Sequence, residues 1–164
     1  MHLVLTKMPS LHGLRDLPRF QAALELALPA TGLDPAAPGR INLVMVTLPR
    51  IIRLNALHLR HTGPTDVITY DLQNGFTLPC ETGEEVLAEI YLCPEVARRQ
   101  APKFHQTPSR ELFRYAAHGL LHLAGEDDLT PAQLKAMRAA EERVLQAAEK
   151  RFSLEGFLPP LKYV

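Results

Sequence analysis

The sequence predicts an α+β domain with about four strands and about five helices in one unit over residues 1–164. Three observations predict it. Apolar runs of strand length at 2–6, 41–47, 65–71 and 86–93 are interleaved with segments of helical period. A capping residue followed at once or one residue later by proline marks four helix starts: Asp16, Thr47, Thr107 and Thr130. Most of the 14 prolines fall between the periodic segments rather than inside them. At 164 residues, 46% of them apolar, the chain is long enough to bury a core and too apolar to be disordered.

In chain order, residues 2–6 read as a first strand, and Asp16 caps a helix whose Leu17, Phe20, Leu24 and Leu28 share one face. Residues 29–40 hold three prolines and two glycines and read as a loop. The nearly continuous apolar run 41–47 reads as a strand buried on both faces. Thr47 and Pro49 then open a helix carrying Ile51, Leu54 and Asn55, and a strand follows at 65–71, which suggests a right-handed crossover. Residues 73–85 read as a loop short enough to make the next strand, 86–93, antiparallel to the one before it.

Pro94 opens a short helix. Thr107 caps the central one, whose core stripe is Leu112, Ala116, Gly119, Leu120 and Leu123 and whose bordering stripe is Glu111, Tyr115, His118 and His122. Thr130, Pro131 and Gln133 form a capping box for the last helix, with Leu134, Met137, Val144 and Leu145 inward and Glu141 and Glu142 on a charged outer face. The apolar end, 156–164, packs on the domain or frays.

Composition narrows the functional classes. Basic and acidic residues balance at 18 each, so nucleic-acid binding is not announced by net charge and needs a local basic patch. Arg50, Arg53, Arg60, Arg98, Arg99, Lys103, Arg110 and Arg114 are the residues such a patch would draw on. The N-terminus has no long apolar run, so neither a signal peptide nor a membrane span is expected. Cys80 and Cys93 are not spaced as a metal pair, and a reduced, cytoplasmic protein is the expectation.

Chemistry concentrates in His118-Gly-Leu-Leu-His122-Leu-Ala-Gly125-Glu-Asp-Asp128. Four residues apart on a helix, two imidazoles stand on one face, one turn apart. Gly125 ends the helix, and Glu126, Asp127 and Asp128 follow near the same end. Two histidines and a carboxylate with an open fourth position suit a hydrolytic metal site, while the pair alone also fits buried structural histidines. A metallopeptidase of the His-Glu-x-x-His kind needs glutamate after the first histidine, and that position is Gly119.

The same run resembles the signature of the YbeY family, metal-dependent endoribonucleases of bacterial ribosomal RNA maturation, usually His-Gly-x-Leu-His-Leu-x-Gly-Tyr-Asp-His. Leu54-Asn55, Arg60 and Pro64-Thr-Asp-Val-Ile-Thr-Tyr70 resemble another family run. So do Ala88-Glu-Ile-Tyr-Leu-Cys93, Glu111, and Met137 with Glu141 or Glu142. The match spans roughly residues 41–145.

The resemblance implies a mixed four-stranded sheet with the metal site on the central helix. It also implies one divalent ion, usually zinc (Zn2+), cleavage of single-stranded RNA, and work on 16S rRNA and the small ribosomal subunit with its associated factors. It implies metal ligation by His118, His122 and Asp128, the last standing where the family has a third histidine, with Asp127 or Glu126 as alternatives. It places Arg60 beside the cleft, where a guanidinium would clamp the scissile phosphate. Rival expectations are a ribosome-associated binding module with a structural or vestigial metal site, and a metal hydrolase of another substrate.

Overall fold

The computed structural model describes residues 1–59, 63–73 and 85–160, with His58 and Leu59 described by their backbone alone. Four strands form one mixed sheet: β1 (His2–Lys7), β2 (Arg40–Met45), β3 (Val67–Asp71) and β4 (Val86–Leu92), in the order β1-β2-β4-β3. Five α-helices accompany them: α1 (Leu17–Ala27), α2 (Leu48–Leu54), α3 (Pro94–Gln100), α4 (Pro108–Leu123) and α5 (Pro131–Glu149). This is the α+β class that the sequence predicts, with the strands within a residue or two of their expected ends.

β1, β2 and β4 run parallel, and β3 is antiparallel to β4 as expected. The expected crossover from β2 through α2 to β3 is not made; the strand–helix–strand crossover is β1–α1–β2, and β4 takes the place beside β2. Burial explains the choice. Val86, Leu87, Ala88, Ile90 and Leu92 of β4 are buried and suit the sheet interior, whereas β3 has one buried residue, Ile68, and a polar end that suits an edge. β2 is also less enclosed than its apolar run suggests: Ile41, Leu43 and Met45 are buried while Asn42 and Val44 are half-buried. The reason is that α1 and α4 pack on the same side of the sheet, touching each other through Phe20 and Phe113.

That side holds the core. In register, Ile41, Leu43 and Met45 lie beside Ala88, Ile90 and Leu92. Phe20 meets Phe113 and Phe157 edge-on, with ring centroids 5.3 and 5.0 Å away. Phe157 belongs to the apolar end of the chain, which therefore packs as far as it is described. Ser109 at the start of α4 donates to the carbonyl of Leu158 and accepts from its N–H.

Helix starts follow the sequence signals. Asp16, Thr107 and Thr130 each accept a backbone N–H, and Thr130 with Gln133 makes the full capping box. Thr47 stands at its cap position without a side-chain bond. After α2 the backbone widens into a π-turn over Asn55–Leu59, and Asn55 Nδ2 donates to the Gly63 carbonyl 3.0 Å away.

Candidate metal centre

The site is built at the C-terminal end of α4, where the helix faces β3 and the start of α5. Gly119 lets α4 come this close. A Cβ there would lie 2.8 Å from Ile90 Cγ2 and 3.0 Å from Thr69 Oγ1. The position that a metallopeptidase would fill with its glutamate is thus closed to any side chain.

Gly125, at φ 96°, ends α4 in a Schellman turn: its N–H bonds the carbonyl of His122, and the N–H of Glu126 bonds that of Leu121. The turn aims the Glu126 carbonyl back at the helix, where it accepts Nδ1–H of His122 at 3.0 Å. On the other side Glu141 of α5 accepts Nδ1–H of His118 at 2.8 Å. Neither a carbonyl nor an ionised carboxylate can donate, so both rings carry hydrogen on Nδ1 and present Nε2 as the free ligand atom.

The two Nε2 atoms are 2.9 Å apart. Two bare lone pairs at that distance repel unless a proton or a cation lies between them. Asp128 supplies a third donor, its oxygens 3.7 Å from His118 Nε2 and 4.0 Å from His122 Nε2. Ligands at about 2.0–2.1 Å around a tetrahedral ion stand about 3.3 Å from one another; one donor atom from each of the three residues lies within 4.8 Å of the others, so the carboxylate would move inward and the rings slightly apart to close on one cation. The Asp127 carboxylate accepts the N–H of Asp128 at 2.8 Å. His118, His122 and Asp128 are the group that could hold an ion among the described residues; the alternatives Asp127 and Glu126 are not in it.

The surrounding field is acidic. Burial opposes protonation of His118, but Glu141, with Asp66 and Asp128 beyond it, outweighs burial and raises its pKa. Burial likewise pushes Glu141 upward, but His118, Arg114 and Arg138 hold it below the usual carboxylate range. Glu111 is raised, by burial first and against the pull of Arg114. The same acidic field that draws a proton to His118 would draw a divalent cation.

Glu141 is the residue that the sequence reading misplaced. Expected on an outer face, it is 4% exposed and bound to His118, with Arg114 Nη1 3.3 Å from its other oxygen. Arg60 lies outside the described residues. The other proposed basic residues are largely committed elsewhere. Arg98 donates to the Pro159 carbonyl, Arg99 pairs with Glu95, Arg110 with Glu142 and Glu149, and Arg114 with Glu111 and Glu141. Arg50 and Arg53 line a separate groove with Tyr91.

Comparisons with known proteins show what the chain is similar to. A family model described as Endoribonuclease YbeY matches residues 15–149. The Endoribonuclease YbeY of Elusimicrobium minutum is 34% identical over 141 residues, 85% of this chain and 92% of that protein. That of Salinibacter ruber is 36% identical over 109 residues, 65% of this chain and 69% of that protein. In fold, the chain is similar to the solution structure of TM1509 from Thermotoga maritima. The TM-score is 0.53 at 23% identity, covering 90% of this chain and 92% of that one.

Proposed function

The chain belongs to the YbeY endoribonuclease family, and from that premise we propose that it uses His118, His122 and Asp128 to hold one divalent ion, Zn2+, for cutting single-stranded RNA. The enzyme is a hydrolase of RNA phosphodiester bonds. Its substrate in the cell is 16S rRNA, met on the small ribosomal subunit, and its place is the cytoplasm; no described helix is long and apolar enough to cross a membrane. Residues 1–164 act as one catalytic domain.

The observation that carries the reading is the facing pair of Nε2 atoms 2.9 Å apart, each fixed by a partner on Nδ1. Two imidazole nitrogens and one carboxylate oxygen are a donor set that zinc accepts. When bound, a divalent ion supplies Lewis acidity, polarising a phosphate oxygen and acidifying water. Glu141 and the Glu126 carbonyl orient the two rings. Asp128 adds a negative charge that an imidazole would not, which tempers that acidity relative to a three-histidine site. Arg60 supplies the guanidinium that grips the scissile phosphate and offsets charge as the bond breaks.

Cleavage of a single-stranded RNA by the purified chain tests this, with and without chelator and beside His118→Ala and Arg60→Ala. Chelator and His118→Ala should abolish turnover, and Arg60→Ala should lower it about 10²- to 10³-fold. Equal cleavage in all four samples would trace the activity to a contaminant and overturn the reading. Elemental analysis should find one zinc per chain in the wild type and a loss in Asp128→Ala; retention there would remove Asp128 from the ligand set.

A further inference from the structure

The cleft beside the triad, about 400 Å3, runs outward to a rim that the reading above leaves unused. Its inner wall is polar, with Asp66, Glu111 and Arg114 next to His118, while its rim carries Phe104, Leu134 and Arg138. Phe104 ends a 3-10 turn, Ala101–Phe104, which is tied down by the N–H of Gln106 on the Ala101 carbonyl. The ring is 51% exposed and Leu134 beside it in the cleft is 43% exposed. An aromatic ring on a backbone held this firmly loses little entropy when a flat ligand lies on it.

Arg138 stands over that ring, its guanidinium carbon 5.7 Å from the centroid. Glu111 and Glu141 feel its charge, but no carboxylate among the described residues pairs with it. That sets it apart from Arg98, Arg99, Arg110 and Arg114, each of which already has a carbonyl or carboxylate partner. An exposed ring, an apolar neighbour on the rim and a cation with no carboxylate partner among the described residues thus share one cleft with the candidate ligands.

We propose that Phe104 and Arg138 form a base-stacking subsite for one nucleotide of a single-stranded RNA, flanking the bond to be cut. The ring takes the face of the base and the guanidinium the adjoining phosphate. The inference rests on the RNA-cleaving reading above and adds where the strand is held. A paired base keeps its faces inside the duplex, so only an unstacked one can use this ring, and every base has a face to offer. The subsite therefore selects single strands without selecting sequence.

Binding is measured by fluorescence anisotropy on the full-length, zinc-loaded chain, with a labelled 2′-O-methyl oligoribonucleotide as the cleavage-resistant probe. Phe104→Ala should weaken binding about 5- to 100-fold, the range of one base–aromatic stack. Phe104→Trp should restore it, and Phe104→Leu, which keeps apolar bulk without a π-face, should not. Arg138→Gln should weaken binding and make its salt dependence shallower by about one phosphate contact. Zinc content and thermal midpoint should stay at wild-type values in all four variants.

A single abasic site walked along the probe should find one register at which the wild type loses the stack and Phe104→Ala loses nothing more. Wild-type affinity in Phe104→Ala, or equal affinity in the Leu and Trp variants, would overturn the subsite while leaving cleavage by the wild type intact. A wild type that neither binds nor cuts single strands would overturn the RNA reading itself and the subsite with it.

Discussion

His118 shows how much of this site is decided by one hydrogen bond. Its ring must hold Nε2 toward the cleft, and the Glu141 carboxylate at 2.8 Å is what keeps the hydrogen on Nδ1. Replacing Glu141 with Ala frees the ring to rotate and to change tautomer. The expected outcome is a 10- to 100-fold loss of zinc affinity, the usual effect of removing such a partner, measured by titration against a chromophoric chelator. Glu141→Gln keeps an acceptor oxygen and should lose less; if the two variants bind zinc as tightly as the wild type, the bond to His118 has no part in holding metal. The trio that could hold an ion was legible because all three residues lie within eleven consecutive positions: helix geometry and a glycine stop bring the histidine pair and the acid cluster together, and the family resemblance singled out Asp128 within that cluster. Glu141 was not, because it sits 23 positions from His118 and its charge argues for solvent. Its spacing from Met137 and Val144, both fully buried, is the signal that places it on the inner stripe of the last helix.

The elements carry the site by how closely they approach. At Gly119 the added Cβ of Ala would meet the branch methyl Cγ2 of Ile90, which belongs to the middle of β4 and cannot swing aside freely. Overpacking of this kind costs about 1–3 kcal/mol, against about 1 kcal/mol gained from replacing a helical glycine. Gly119→Ala should therefore lower the thermal midpoint by a few degrees, and Gly119→Glu by much more; a Gly119→Ala variant more stable than wild type would show that helix and sheet have room to part. Thr130→Ala removes the side-chain half of the capping box on the helix that carries Glu141, and should cost about 1 kcal/mol in denaturant unfolding. Caps and stops of this sort were readable because each is local: Thr107 before Pro108, Thr130 three residues before Gln133, Gly125 after the histidines. Strand order was not readable in the same way. Which strand lies beside β2 depends on β3 and β4 competing for an interior place, a comparison between segments far apart in the chain.

Across the whole molecule, the core and the candidate metal centre are separate sources of stability. The core is apolar and continuous, from Phe20, Phe113 and Phe157 through Ile41, Leu43 and Ile90, and none of these residues is a ligand. The centre lies at its border, with His118, His122 and Asp128 all half-buried. Chelator should accordingly leave the chain folded, unlike small domains that the metal itself holds together, while metal still stabilises through linkage because the unfolded chain has no assembled site. At free zinc about 100-fold above the dissociation constant the gain is about 2.7 kcal/mol. At about 2–4 °C per kcal/mol for a chain of this size, the midpoint should rise by about 5–10 °C between chelator and saturating zinc. Differential scanning calorimetry of the wild type and Asp128→Ala checks this with no reference to cleavage. The rise should shrink in Asp128→Ala, with the chelated midpoints of the two proteins close together, since the lost carboxylate is a half-buried group outside the core. An equal rise in both would mean that zinc binds without this carboxylate, and a wild type that unfolds in chelator would mean that core and centre are one structure rather than two.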